Sequence, residues 1–394
     1  MRILWLSYYY LPHVGGGTWP SYYLSQVLSN RGHTVELIVP NVNFTLSISP
    51  ELSKNVESKN LSKVYRVPSF PLPRMLAPVL CFFPIFLQGL KRGKNSDVIV
   101  CQFHPHHLVT FTAVLLGRIL NRPVVARACD VYRNMGSSSN SSMERFVRVL
   151  NVFNESLIKR LSVFLICCSE YKEILLARNK SYYDKIQLLV NGFDLTDFHN
   201  LPSKDDVRKS LGLTSENKMI LFVGRFSGEE YGAKVLLKAF ALLLQKAPGA
   251  VLFLVGDVLS NDLLKLIDSL GITESVKVYG AMPHKDILQF IVGSDVCIGP
   301  LMATQTIPLK VLEYMVLNKP VVSGNGSISK DLNPETNFIL CSPMPEEISE
   351  AIWKALCDQR LNKSYGNSVP EKFSWQTVSE EMEQILSSVV KSSR

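Results

Sequence analysis

No pair of cysteines in this sequence stands at zinc-ligand or redox spacing. The eight, at positions 81, 101, 129, 167, 168, 297, 341 and 357, are scattered and fall mostly inside apolar runs. Their pattern argues against a structural zinc site or a dithiol redox motif and predicts buried thiols in a reducing compartment. No Walker phosphate loop, complete dinucleotide fingerprint or nucleic-acid recognition motif occurs, and no Asp-x-Asp pair follows a strand-like run as a metal–diphosphate clamp requires. Nucleic-acid binding and a metal site are therefore not expected, and the His104-Pro-His-His107 cluster is interrupted by a proline that disfavours fixed ligand spacing. The chain opens on Arg2 and an apolar run without a signal-type segment, so a cytoplasmic location is expected. The longest apolar stretch, residues 75–90, is too short to span a bilayer and carries Pro78 and Pro84. Flanked by Arg74, Lys91, Arg92 and Lys94, residues 75–94 read either as an interfacial helix on an anionic membrane or as a buried core helix.

What is present is ample apolar material and an uneven charge. With 394 residues, 46% of them hydrophobic and 19% charged, the chain has material for two cores. Residues 1–197 hold 22 Lys and Arg against 12 Asp and Glu, which leaves 20 against 22 for the remainder. The basic half suits an anionic partner, such as a lipid headgroup or phosphorylated acceptor, or a solubilising surface.

Apolar runs alternate with helical patterns throughout. Strands are predicted at 2–8, 34–39, 97–102, 123–128 and 163–168, with helices at 20–31, 107–120 and 143–161. The second half repeats this, with strands near 219–223, 251–255, 276–279, 295–298 and 320–323 and helices near 233–246, 261–270, 284–292 and 308–317. Such alternation predicts an α/β protein of two doubly wound parallel sheets, with ligands at the carboxyl ends of the strands. The expected division is 1–195, 196–372, and a terminal helix 373–394, capped by Ser374, that crosses back to the first domain. A turn-rich segment from Val190 to Pro202 suits the hinge.

The stretch Thr306 to Val322 carries the most chemical information. Thr306 suits a helix cap, Pro308 a first turn, and Leu309, Leu312 and Met315 one apolar face. Glu313 borders that face, so its carboxylate is expected to be partly shielded from water. Near the start of the chain, Gly15-Gly16-Gly17 follow the first strand and precede a helix, where bare backbone can approach a phosphate.

Six features occur in order: Gly15-Gly16, Gly32-His33, Asn191-Gly-Phe-Asp-Leu-Thr-Asp-Phe198, Val223-Gly224-Arg225, Val255-Gly-Asp257, and Lys310 to Val322. In this order they resemble glycosyltransferase family 4, the retaining group 1 enzymes. The resemblance implies the GT-B fold, in which two Rossmann-like domains face a central cleft. It also implies a nucleotide-sugar donor held mainly by the second domain and no further cofactor. By the same resemblance Glu313 binds the donor ribose, Arg225 and Lys310 the diphosphate, and Gly16, Gly17, Gly224, Gln305, Thr306, Ile307 and Leu309 complete the donor site. Arg225, Lys310 and Asp130 are the implied catalytic residues, and His104, Asp130 and Arg127 face the acceptor.

Three positions depart from the family pattern. Glu229-Glu-Tyr-Gly232 stands where relatives place a lysine, Gln305 replaces the first of two glutamates, and Cys129 precedes Asp130 where many relatives have histidine. The resemblance therefore predicts a divergent, metal-independent transferase moving a sugar from a UDP- or GDP-sugar to a hydroxyl acceptor, a lipid-linked or cell-surface glycan precursor, with retention. Peripheral contact with the inner face of the cell membrane would run through residues 75–94. The departures leave two alternatives: a catalytically silent protein that binds a nucleotide sugar or a partner transferase, and a nucleotide-sugar epimerase.

Overall fold

The computed structural model describes the chain except residues 14–16, 42–60, 70–76, 105–106, 129–141, 227–231, 257, 303–306, 326–330, 333–336, 359–372 and 394. It divides into two compact units, Met1–Gly192 with Ser374–Arg394, and Phe193–Phe373. The first unit holds strands β1 (Arg2–Leu6), β2 (Thr34–Asn41), β3 (Lys63–Pro68), β4 (Val98–Phe103), β5 (Val124–Ala128), β6 (Val163–Ile166) and β7 (Ile186–Leu188). They form one parallel sheet in the order β3-β2-β1-β4-β5-β6-β7. The second unit holds β8 (Lys218–Gly224), β9 (Ala250–Gly256), β10 (Val276–Tyr279), β11 (Val296–Ile298), β12 (Val321–Gly324) and β13 (Phe338–Cys341). Its parallel order is β10-β9-β8-β11-β12-β13.

Both sheets are doubly wound, as the alternation of apolar runs predicts. The central strands β4 and β5 are buried at every residue, because helices cover both faces of a parallel sheet. The order reverses between β1 and β4 in one unit and between β8 and β11 in the other. At each reversal, neighbouring connections leave in opposite directions and open a crevice at the carboxyl ends of the strands.

Three strands have no counterpart in the sequence prediction: β3, β7 and β13. All three lie at sheet edges, and β7 has three residues of which only Ile186 is buried. β3 and β7 bury one residue each and so show no continuous apolar run, while the run of β13, Phe338–Cys341, is only four residues long. The helices Ser169–Arg178, Lys204–Ser210 and Pro345–Cys357 were likewise not predicted.

Within residues 75–90, the main element is the helix Phe82–Arg92. Pro84 is its third residue, where no intrahelical partner awaits the missing N–H, so the proline does not break it. Ile85 and Gly89 are buried, while Phe83 is 57% and Leu87 66% exposed. The helix thus buries one face, with Ile85 in the core and Phe86 and Leu90 packed against it, and turns Phe83 and Leu87 outward. Among the described residues no helix is long and apolar enough to cross a membrane. Of the described cysteines, six are buried and Cys357 is exposed.

The helix Trp375–Ser392 belongs to the first unit. Ser374 caps it by accepting from the Thr377 N–H at 3.0 Å. Trp375, Val378, Met382, Leu386 and Val389 are buried, and Trp375 stacks on Tyr23 at 5.4 Å. Arg31 donates to Glu380 and Glu383 at 2.9 and 2.6 Å. The Gly32-His33 motif serves this junction: Gly32, at φ +86°, ends the helix Thr18–Asn30, and His33 lies 3.1 Å from Glu383. Gly192 has a comparable reason, since a β-carbon there would come within 2.9 Å of Trp375.

Candidate active site

In the second unit, two Val-Gly motifs lie side by side at the sheet reversal. Gly224 ends β8, Gly256 ends β9, and the two are register partners. Their φ angles are +139° and +140°, and a β-carbon on Gly256 would sit 2.3 Å from the Gly224 carbonyl oxygen. Only glycine fits this close approach. Arg225 leaves β8 directly after it, exposed to solvent, with no ion pair among the described residues.

Lys310 comes to the same strand end. It lies in the helix Leu309–Val316, where Val311, Leu312, Tyr314 and Met315 are buried. The apolar face thus differs from the predicted Leu309, Leu312 and Met315 stripe: Leu309, in the first turn, is only half-buried. Pro308 is the N-cap and not the first helical residue, and the predicted Thr306 cap lies outside the described residues. The Lys310 ammonium donates to the Val223 carbonyl oxygen and sits 4.4 Å above the Phe222 ring. A β-carbon on Gly224 would lie 3.2 Å from its Nζ. Although part of the side chain reaches solvent, this packing strips water from the ammonium and lowers its pKa to about 8, with Glu313 pulling the other way.

Glu313 projects beside Lys310 with its side chain 12% exposed. Its Oε1 lies 2.9 Å from Nε2 of His284, whose Nδ1 lies 3.4 Å from Oδ2 of Asp197. Burial works against a proton on His284, but the hydrogen bonds and charges of Asp197 and Glu313 outweigh it and raise the pKa to about 10. Three remote chain segments thus meet in a carboxylate–imidazolium–carboxylate row. Ile307 is buried at 4% exposure. Gln305 and Thr306 lie outside the described residues.

In the first unit, Gly17 is the N-cap of the helix Thr18–Asn30, at the reversal between β1 and β4. Gly16 and Asp130 lie outside the described residues. Gln102, near the end of β4, organises this region. Its Oε1 accepts from Ser7 Oγ at 3.0 Å and from the N–H groups of Tyr8 and Tyr9 at 3.2 and 3.0 Å. Its Nε2 donates to the Gly17 carbonyl at 2.9 Å, so close that a β-carbon on Gly17 would strike it. His104 is 8% exposed and packs between Tyr9 and His107, with ring centroids 5.1 and 5.0 Å away. Arg127 is 2% exposed and donates to Asn191 Oδ1 at 2.8 Å. It therefore ties β5 to the Asn-Gly motif.

The structure thus gathers Gly224, Lys310 and Glu313 in the second unit, with Arg225 next in the chain, and Gly17 and His104 in the first. Sequence reasoning missed Gln102 and His284. Gln102 looked like the polar end of a strand, although a glutamine closing an apolar run is itself an anomaly. His284, next to Pro283 at a helix start, offered no signal, because its partners are 87 and 29 residues away in the chain.

Comparison with known proteins follows the same division. Residues 203–372 match the family model described as Glycosyl transferases group 1, and residues 14–197 the model described as Glycosyltransferase Family 4. The chain is 26% identical over 397 residues to an uncharacterised glycosyltransferase of Methanocaldococcus jannaschii, covering 97% of this chain and 96% of the relative. It is 25% identical over 252 residues to a capsular polysaccharide biosynthesis glycosyltransferase of Staphylococcus aureus, covering 60% and 66%. Among solved structures, Anabaena HepE in complex with UDP is similar with a TM-score of 0.76 at 19% identity, covering 98% of this chain and 100% of that one.

Proposed function

The chain belongs to the group 1 glycosyltransferases of family 4 and has their GT-B fold, and from that premise we propose that its second unit binds a nucleoside diphosphate sugar. Its first unit takes a hydroxyl acceptor that is a lipid-linked or cell-surface glycan precursor. The observation that carries the reading is the pairing of Lys310 and Glu313 one helical turn apart at the end of β8. A cation is thereby set where a diphosphate would sit, and a shielded carboxylate where it can accept from ribose hydroxyls.

Departure of the diphosphate from the anomeric carbon builds negative charge on the leaving phosphate. Lys310 and Arg225 are the cations that stabilise it, with the backbone at Gly224 giving access. Lys310 stands in for the lysine that relatives carry after the arginine. Gln305 can hydrogen-bond a sugar hydroxyl, and Thr306, Ile307 and Leu309 are assigned to the same donor-side segment. On the acceptor side Asp130 and His104 are the residues assigned to the hydroxyl, and Arg127 holds the Asn191 segment. Gly17, at the start of the helix Thr18–Asn30, leaves bare backbone where a phosphate or sugar can approach. UDP bound by the Anabaena neighbour supports a uridine nucleotide, and the Staphylococcus relative supports a glycan acceptor. Transfer proceeds with retention and without metal, as family membership suggests.

A membrane-facing acceptor suits the first unit. Phe83 and Leu87 are exposed on one helix and Val149 and Val152 on another, while the contacts Phe82–Phe111 and Phe111–Phe153 join these helices through Val109–Leu120. Lys91, Arg118, Arg145 and Arg148 are exposed on the same three helices, a combination that favours an anionic lipid surface.

The test is calorimetric titration of Glu313→Ala with UDP and GDP, alongside product assays over UDP- and GDP-sugars. Loss of one charge-assisted contact should weaken nucleotide binding by about tenfold or more. Unchanged affinity would remove Glu313 from the donor site.

A further inference from the structure

We propose that His284 is the positioning residue of the donor site: it holds one oxygen of Glu313, is itself held by Asp197, and so presents the other oxygen to the ribose hydroxyls. The inference rests on the donor reading of Glu313 and adds to it the residue that fixes the carboxylate.

A glutamate with three side-chain torsions does not hold one geometry unaided. Here Glu313 Oε1 is engaged by His284 at 2.9 Å, while Oε2 makes no hydrogen bond with any described residue. His284 is fixed in turn by Asp197 at 3.4 Å on its other ring nitrogen. The imidazole therefore donates from both nitrogens, and its plane is set from two sides. As a contribution to stability this arrangement is an odd choice. His284 is the first residue of the helix His284–Gly293, where the helix dipole disfavours a cation. Its side chain is 38% exposed and that of Asp197 32%, so solvent screens the pair. Glu313, at 12%, is the sheltered member, and it is the group whose direction matters to a ligand. Asp197 belongs to the segment by which the chain enters the second unit, so the carboxylate is anchored to that segment as well as to its own helix.

The experiment uses the full chain and whichever of UDP or GDP binds the wild type more tightly, together with its 2′,3′-dideoxy form. His284→Gln should weaken binding of the ribonucleotide by about tenfold and leave the dideoxynucleotide within about twofold, since only the ribose contact depends on Glu313. In the Glu313→Gln background the same substitution should add nothing, because both changes remove one interaction. Asp197→Asn, a gentler change, should give a smaller loss with the same dependence on the hydroxyls. Equal losses for both nucleotides, an additive double variant, or undiminished affinity in His284→Gln would overturn the positioning role. If the wild type binds neither nucleotide, or Glu313→Gln alone leaves affinity unchanged, the donor reading fails first, and the positioning role with it.

Discussion

Lys310 has a double cost and benefit that one substitution exposes. Its pKa near 8 lies below the ordinary lysine value of 10.5 because folding strips water from the ammonium. Between those values the unfolded chain binds a proton that the folded chain does not, so this residue makes stability rise with pH there. Lys310→Met should therefore raise the thermal midpoint at pH 7, while weakening nucleotide binding. Wild-type affinity should fall as pH rises above about 8, and the variant should lose that dependence. A variant that is both less stable and equally pH-dependent would show that Lys310 is structural. His284 behaves oppositely. Its raised pKa makes its contribution fully present below about 6.5 and lost as pH climbs through about 10.

At the scale of elements, the paired strand ends of β8 and β9 explain why two Val-Gly motifs recur in one chain. Either glycine alone would read as a turn, but Gly256 is required by the Gly224 backbone beside it, and Gly224 by its own φ and the Lys310 ammonium next to it. Gly256→Ala should destabilise the second unit by about 2 kcal/mol or more, from a backbone clash together with an unfavourable φ. Denaturant unfolding followed by tryptophan and far-ultraviolet signals measures it, and a change under about 0.5 kcal/mol would contradict the geometry. Motif spacing located these glycines, Lys310 and Glu313, because local order along the chain carries that information. It could not locate Gln102 or His284, whose roles arise from partners brought near by sheet order. Edge strands such as β7 escaped for a related reason, having too few buried residues to make a pattern.

For the molecule as a whole, the division into two α/β units was legible in the alternation of strand-like and helical segments. The asymmetry of charge was equally plain, but its meaning depended on which side chains reach the surface. Phe83, Leu87 and Lys91 share a solvent-facing stripe at four-residue spacing, within the segment whose sequence fits either an interfacial or a core helix. The protein should float with vesicles rich in anionic phospholipid and release in high salt, whereas Phe83→Ser with Leu87→Ser should stay in solution. Binding indifferent to lipid charge, or unaltered by that pair, would dismiss the docking face.

The pairing of Trp375 with Tyr23 and Gly192 also bears on how the protein is made. Residues 193–373 are one continuous stretch, closed at its ends by the Phe193 N–H donating to the Phe373 carbonyl at 2.9 Å. The first unit is discontinuous: its early portion leaves the ribosome long before residues 374–394 arrive to cover Tyr23 and engage Arg31. The second unit can therefore finish folding while the first still waits, and the half synthesised first is the last to be completed.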